Sequence, residues 1–297
     1  MSAEVVNVPV SDVRRSSGLR DYVALTKPRL NFLVVLTSAA GYYLGTVRPG
    51  TMAMAQAVAG TALVAGGAAV LNQVYERKTD ALMRRTRLRP LPDGRVTSAD
   101  AAIFGSLLAL AGLILLALGA NRTAAFLALL TLVIYLVVYT PMKRHSSLAT
   151  LVGAVPGALP PLIGWTAAHG AITAGGWSLF AILFLWQIPH FMAIAWLYRD
   201  DYRTAGFPML PVVEPDGRRT GRQALLYAAA LVPFSLAPSY VGVSGPMYFR
   251  IALVLSVALL ALAARFSVQR TENAARWLFF GSITYLPLLL VAMVLDH

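Results

Sequence analysis

The chain has 297 residues, 58% of them hydrophobic and 13% charged, a balance that excludes an ordinary water-soluble enzyme, in which about a quarter of residues are charged. The absence of cysteine excludes thiolate metal centres, disulfide frameworks and cysteine nucleophiles. A net charge of +12 lies in loops between apolar runs rather than on a basic domain, so it points to membrane topology and away from nucleic acid.

Residues 1–24 are expected to form a polar cytosolic tail. They lack the apolar stretch and cleavage site of a secretory signal, and Glu4 and Asp12 argue against a mitochondrial transit segment. Residues 25–297 form one membrane domain. Uncharged stretches run over 30–47, 49–75, 101–121, 123–142, 145–198, 223–249 and 277–295. A spanning helix needs roughly 20 apolar residues, so the long stretch 145–198 holds two spans and the others one each. Residues 251–264 make a further span if Pro246 to Arg250 and Arg265 extend it, the arginines snorkelling to the interface. The expectation is an all-α polytopic membrane protein, nine transmembrane helices bundled around a central cavity. With a cytoplasmic amino terminus, 22 of the 25 Lys and Arg residues fall inside, and Arg48, Arg122 and Arg250 fall outside.

The second span ends in Asn72, Glu76 and Asp80, spaced i, i+4, i+8, which places three oxygen donors on one narrow arc of a continuing helix. Few hard oxygen donors with open positions suit Mg²⁺ bound jointly with substrate phosphates. The helix carboxyl end repels a bare anion, so a phosphate here needs cations beside it. Arg84, Arg85 and Arg89 supply guanidinium forks. Arg77, Lys78, Arg87 and Arg95 read better as solvated, topology-setting charges. Asn72 lies inside an otherwise apolar span, where polar groups are costly and tend to be functional.

After the fourth span, Tyr139 to Arg144 carries the basic pair Lys143 and Arg144, which reads equally as a positive-inside anchor and as a phosphate contact. The fifth span mixes small residues and prolines from Gly153 to Pro161, a packing surface first and a cavity wall second. The sixth runs through Trp186, Gln187 and His190 to Tyr198, Asp200, Asp201 and Tyr202. It places a second acidic pair on the same membrane face, and two such clusters facing one another would hold one or two Mg²⁺ ions over a diphosphate. Asn72, Glu76, Asp80 and Asp201 are the expected ligands, with Asp200 as the other candidate. Gln187 and His190 read either as helix-packing groups or as polar groups in a substrate cavity, where a histidine would reach a tetrapyrrole iron.

These residues resemble the intramembrane aromatic prenyltransferase superfamily, the group related to the ubiquinone-pathway enzymes. That superfamily's first motif usually reads N-D-x-x-D-x-x-x-D. Here it is Asn72-Gln73-x-x-Glu76-x-x-x-Asp80, followed by Arg85-Thr86-x-x-Arg89-Pro90. Together with Thr26-Lys27-Pro28-Arg29, Trp186-Gln187-x-Pro189-His190-Phe191, Tyr198-x-x-Asp201-Tyr202 and Gly206-x-Pro208, this version is similar to the branch whose acceptor is heme. Where that branch commonly has an Asn after its basic pair, this chain has Ala149 and Thr150.

The resemblance implies transfer of farnesyl from farnesyl diphosphate to a vinyl group of heme B, with water added and diphosphate released. Mg²⁺ would assist ionisation. His190, Gln187, Trp186, Tyr139, Tyr198 and Tyr202 would line the heme or prenyl pocket. It also implies a bacterial plasma membrane location with the site facing the cytoplasm, and delivery of product toward heme A synthase or terminal oxidase assembly proteins. A same-fold enzyme with a quinone or chlorophyll precursor as acceptor shares the diphosphate half of this site. A transporter fits less well, because its polar residues belong near the bilayer midplane, whereas these cluster at one face.

Overall fold

The computed structural model describes residues 18–297. Most of the expected tail therefore lies outside the described residues, but its end does not: Leu19–Leu25 form a short helix, α1, whose Leu25 is fully buried. Asp21 of α1 pairs with Arg95, and Tyr22 meets Phe104 edge-on, so α1 is tied to the loop that holds Arg95 and to the helix after it. Lys27 then adopts a left-handed conformation, φ 52° and ψ 62°, and Pro28 opens α2 (Pro28–Leu44). Proline disfavours a right-handed helical conformation in the residue before it, which separates α1 from α2.

The remaining elements are α3 (Thr51–Asp80), α4 (Ser98–Gly119), and a span made of α5 (Arg122–Val133), a π-helical turn (Ile134–Tyr139) and α6 (Thr140–Met142). They continue with α7 (Ala149–His169), α8 (Ala174–Leu197), the short α9 (Arg199–Thr204) and α10 (Leu210–Val213), then α11 (Arg218–Tyr240), α12 (Pro246–Gln269) and α13 (Glu272–Leu295). No strand occurs among the described residues.

Seven helices in the described residues are long and apolar enough to cross a membrane: α3, α4, the segment Arg122–Met142, α7, α8, α12 and α13. The two other expected spans fall short for different reasons. α2 has 17 residues, closed at one end by Pro28 and capped at the other by Gly45. α11 begins five residues earlier than its apolar stretch, so Arg218, Arg219 and Arg222 occupy its first turns, and it ends at Tyr240 before a separate turn into Pro246.

Small residues set the spacing of the bundle. A methyl group on Gly67 would lie 2.5 Å from the Gly105 carbonyl oxygen of α4, and one on Gly112 would lie 2.6 Å from the Gly60 carbonyl oxygen of α3. The same holds between α2 and α7, where Gly164 sits against the Ser38 carbonyl. Lipid offers no hydrophobic drive for helices to pair, so close backbone approach and dispersion must hold them. The outward faces of α4, α5 and α12 expose Leu107, Ile114, Phe126, Leu129, Val254 and Val257, surface suited to acyl chains. α8 packs on α7, α11 and α13, and its Leu179, Ile182, Leu183 and Trp186 join the largest buried cluster.

The π-helical turn has a local cause. Pro141 has no N–H to offer an α-helical partner, and the Thr140 N–H bonds the Tyr135 carbonyl, five residues back. The extra residue in that turn rotates the next part of the chain, with Thr140 and Lys143, toward α3. Substituting Gly112→Leu should destabilise the α3–α4 contact by about 1–3 kcal/mol through overpacking, read as a lowered melting midpoint in detergent. Leu107→Ala, on the lipid face, should change it little.

Candidate active site

The carboxyl end of α3 carries the expected ladder. Asn72, Glu76 and Asp80 are 1%, 4% and 1% exposed, so all three oxygen donors lie inside the protein. Burying a carboxylate without a partner is prohibitive, and each of these groups meets a cation. Lys143 Nζ lies 2.8 Å from Glu76 Oε1. The Arg89 guanidinium donates to Asp80 Oδ2 at 2.7 Å. Lys27 Nζ faces Asn72 Oδ1 at 3.4 Å.

Backbone and neutral groups fix the same residues. The Asn72 amide donates to Thr140 Oγ1 at 3.1 Å, and Thr140 donates in turn to the Tyr135 carbonyl exposed by the π turn. That bond turns the Asn72 oxygen toward Lys27. Gln73, the neighbouring polar residue, donates to the Leu25 and Ala69 carbonyls and so clamps α1 onto α3. Thr86 donates to the Asp80 carbonyl at 2.7 Å, folding the Arg-rich loop back over the helix end.

Of the expected basic contacts, Arg89 and Lys143 reach the ladder. Arg144 donates to Thr79 Oγ1 at 2.7 Å and lies over the Tyr75 ring. Arg85 is exposed and stacks its guanidinium over Tyr198, 5.3 Å from the ring centroid. Arg84 is exposed. Lys143 also sits over the rings of Tyr139 and Phe207, at 5.4 and 5.2 Å.

Electrostatics around the two lysines differ. Burial and the nearby Arg89 guanidinium pull the Lys27 pKa down to about 8, with Glu76 and Asp80 opposing them. Burial also works against the charge on Lys143, but the oxygens of Tyr139 and Glu76 outweigh it, and the net direction is upward.

The second acidic pair departs from expectation. α8 stops at Leu197, Tyr198 breaks the helical path, and the chain restarts as the separate α9. Asp200 points to solvent, its side chain 75% exposed and paired with Arg203 at 2.9 Å. Asp201 is half-buried and forms no ion pair among the described residues. Consequently no group of three acidic or histidine side chains forms a shared metal cluster among the described residues. The α8 end approaches the ladder through aromatic rings instead: Arg85 over Tyr198, and Phe207, edge-on to Tyr202, over Lys143.

Farther inside, Gln187 donates to the Ala154 and Leu183 carbonyls, using both amide hydrogens to hold α7 against α8. This is helix packing, with Gly157 leaving room for the amide. His190 stacks between Trp186 and Phe279, at 5.1 and 5.2 Å. Its Nδ1 lies 2.8 Å from Ser282 Oγ. Ser282 Oγ also lies 2.7 Å from the Phe279 carbonyl, to which it donates. Trp186 Nε1 donates to the Ser282 carbonyl at 2.8 Å, closing the group.

An all-helical membrane bundle with a buried, cation-ringed Asn–Glu–Asp ladder at one end defines a class, and the comparisons agree with it. The chain belongs to the UbiA prenyltransferase family, whose sequence profile matches residues 33–284, and members of that family are enzymes. Relatives named protoheme IX farnesyltransferase include one from Solibacter usitatus, 45% identical, covering 94% of this chain and 99% of its own. Another, from an Anaeromyxobacter strain, is 49% identical, covering 93% of each chain. Among solved structures, digeranylgeranylglyceryl phosphate synthase has a TM-score of 0.80 at 16% identity, covering 94% of this chain and 98% of its own. A UbiA homologue from Archaeoglobus fulgidus bound to DMAPP and Mg²⁺ has a TM-score of 0.67 at 16% identity, covering 92% and 99%.

Lys27, Thr140 and Phe207 are the site residues that residue spacing did not single out. Lys27 stands before a proline at the start of the first apolar stretch, and Thr140 stands before another within the fourth. With Phe207 before Pro208, all three are X-Pro steps, and those were the available signals. Thr140→Val should leave the buried Asn72 amide unsatisfied and cost about 1–3 kcal/mol of stability, measured by thermal unfolding. Thr140→Ser should restore most of it.

Proposed function

We propose that this chain transfers farnesyl from farnesyl diphosphate to a vinyl group of heme B, with addition of water, releasing diphosphate. The observation that carries this reading is the buried Asn72–Glu76–Asp80 ladder ringed by Lys27, Lys143 and Arg89, in a chain whose relatives bear the name protoheme IX farnesyltransferase. The donor set fits a magnesium ion: three hard oxygens on one helix face, two of them anionic. Asn72, Glu76 and Asp80 would hold it, with Asp201 the further candidate ligand. When bound, the ion supplies charge neutralisation for the departing diphosphate.

The protein's own groups do the rest. Lys143, Arg89 and Lys27 bind the phosphoryl oxygens, Arg89 through a planar fork and the lysines as point charges. Arg85 and Arg144 flank them. Loss of diphosphate leaves an allylic cation, which aromatic faces such as Tyr75, Tyr139, Tyr198 and Trp186 stabilise by about 0.5–2 kcal/mol. Tyr139 and Phe207 keep water from the Lys143 side, since early hydration would yield only farnesol. A vinyl carbon is a weak nucleophile, so positioning of the acceptor contributes much of the rate. The vinyl carbon bonds to the farnesyl C1, and water then adds to the adjacent carbon with loss of a proton. His190, its Nδ1 facing Ser282 Oγ and its ring held between Trp186 and Phe279, is the heme contact.

The same reading has nine spans, with α2 and α11 completing the seven apolar ones, and a cytoplasmic amino terminus in a bacterial plasma membrane. The ladder then faces the cytoplasm, the side with 22 of 25 basic residues. Product passes to heme A synthase or terminal oxidase assembly proteins.

Porphyrins from cells overproducing this chain should gain the mass of farnesyl plus water, and cells carrying Asp80→Ala should lack that species. Purified protein given farnesyl diphosphate with either heme or 4-hydroxybenzoate should use heme alone; prenylation of the benzoate would reassign the acceptor. Separately, His190→Ala should alter the absorption spectrum of bound heme, and an unchanged spectrum removes that contact.

A further inference from the structure

The ladder that would receive a metal is already neutralised. Two buried carboxylates, Glu76 and Asp80, stand against three cations, Lys143, Arg89 and Lys27, which leaves the cluster one positive charge in excess. A dication entering this arrangement meets net repulsion at short range and low dielectric. It also finds its oxygens occupied, by an ammonium at 2.8 Å on Glu76 and a guanidinium at 2.7 Å on Asp80. Those cations cannot simply withdraw, because a buried charge needs a partner. A diphosphate is a partner of the required sign, multiplicity and geometry.

Lys27 is the informative member. It is one of only two non-glycine residues in the described chain with positive φ, and this backbone turn directs its side chain from the α1–α2 junction onto Asn72, 45 residues away in sequence. Its partner is a neutral amide, so Asn72 does not need Lys27 as a counter-ion. The position instead blocks the first rung of the ladder.

We propose that Lys27, Lys143 and Arg89 are resident counter-cations that close Asn72, Glu76 and Asp80 to divalent metal until a diphosphate arrives to accept them. Metal and diphosphate then enter as one exchange: the cations move from carboxylate to phosphate oxygens as the metal takes their place. This rests on the magnesium–diphosphate reading above. It adds that, without diphosphate, the cation-paired ladder is a poor metal site by construction, a property that metal affinity alone reads out.

The test is Mn²⁺ binding to the purified full-length chain, followed by the free-ion electron paramagnetic resonance signal without pyrophosphate. The wild type should bind weakly, and Lys27→Met and Lys143→Met should each bind about tenfold more tightly, within the usual range of site-to-site coupling. Because the lysine that would pass to a phosphate oxygen is gone, the same variants should retain less labelled pyrophosphate in equilibrium dialysis with Mn²⁺ present. Lys27→Met keeps the test decisive if Lys143→Met fails to fold, because it strands no carboxylate. Equal Mn²⁺ affinity in the wild type and Lys27→Met overturns the proposal. A Glu76→Gln/Asp80→Asn variant separates the two levels. If it retains Mn²⁺-dependent pyrophosphate as the wild type does, the ladder is not the metal site and both readings fall; if it loses it while Lys27→Met leaves Mn²⁺ affinity unchanged, only the exchange falls.

Discussion

A carboxylate inside a protein must be given a positive partner or lose its charge, and this bundle meets that demand twice within one turn of α3, at Glu76 and at Asp80. Much of the surrounding structure serves those two pairings. The Arg-rich loop folds back through Thr86 so that Arg89 reaches Asp80. The π turn brings Lys143 to Glu76 and Thr140 to Asn72. α1 is clamped by Gln73 and tied by Asp21 to Arg95, which fixes the strained turn carrying Lys27. The two ion pairs are each stable only as a pair, because removing Arg89 or Lys143 leaves a carboxylate stranded at low dielectric.

The helices that hold this set together do so by backbone proximity rather than by large apolar side chains. Glycines on α3 and α4, and on α2 and α7, bring main chains into direct contact, as expected where the surrounding solvent is itself hydrocarbon. Such contacts are short-range and steep, so they fix the axial register of α3 tightly. That register matters, since a shift of one residue along α3 would rotate the donors by about 100° away from Lys143 and Lys27. The glycine seam and the ionic cluster are thus linked: one sets where the donors point, the other requires that they point there.

The surroundings of His190 are organised on a different principle. His190 is held by stacking between Trp186 and Phe279 and by a hydrogen bond with Ser282. Orientation comes from the ring planes and from the hydrogen bond to Ser282. The two halves meet at the end of α8, where Tyr198 and Phe207 lie against Arg85 and Lys143. Cations facing aromatic rings form the seam between a strongly polar region and an apolar one.

By itself the sequence determined the all-helical class, the membrane, the position of most spans and the ladder of Asn72, Glu76 and Asp80, because these depend on hydropathy and helical period within one segment. Arg89 and Lys143 were also legible, as basic groups flanking an acidic helix end. Only the tertiary structure decided which cation serves which oxygen: Lys143 and Glu76 are 67 residues apart, and Lys27 and Asn72 are 45 apart. It also turned Asp200 outward, since α8 ends at Leu197 and α9 takes a new direction that no periodicity in the continuous motif announced. Gln187, which by type alone suited either a cavity or a helix contact, became a helix contact once Gly157 of α7 lay beside it. The physical reason is common to all of these: a helix's own residues fix what it can offer, but the partner that accepts the offer is chosen by backbone contacts between segments far apart in the chain.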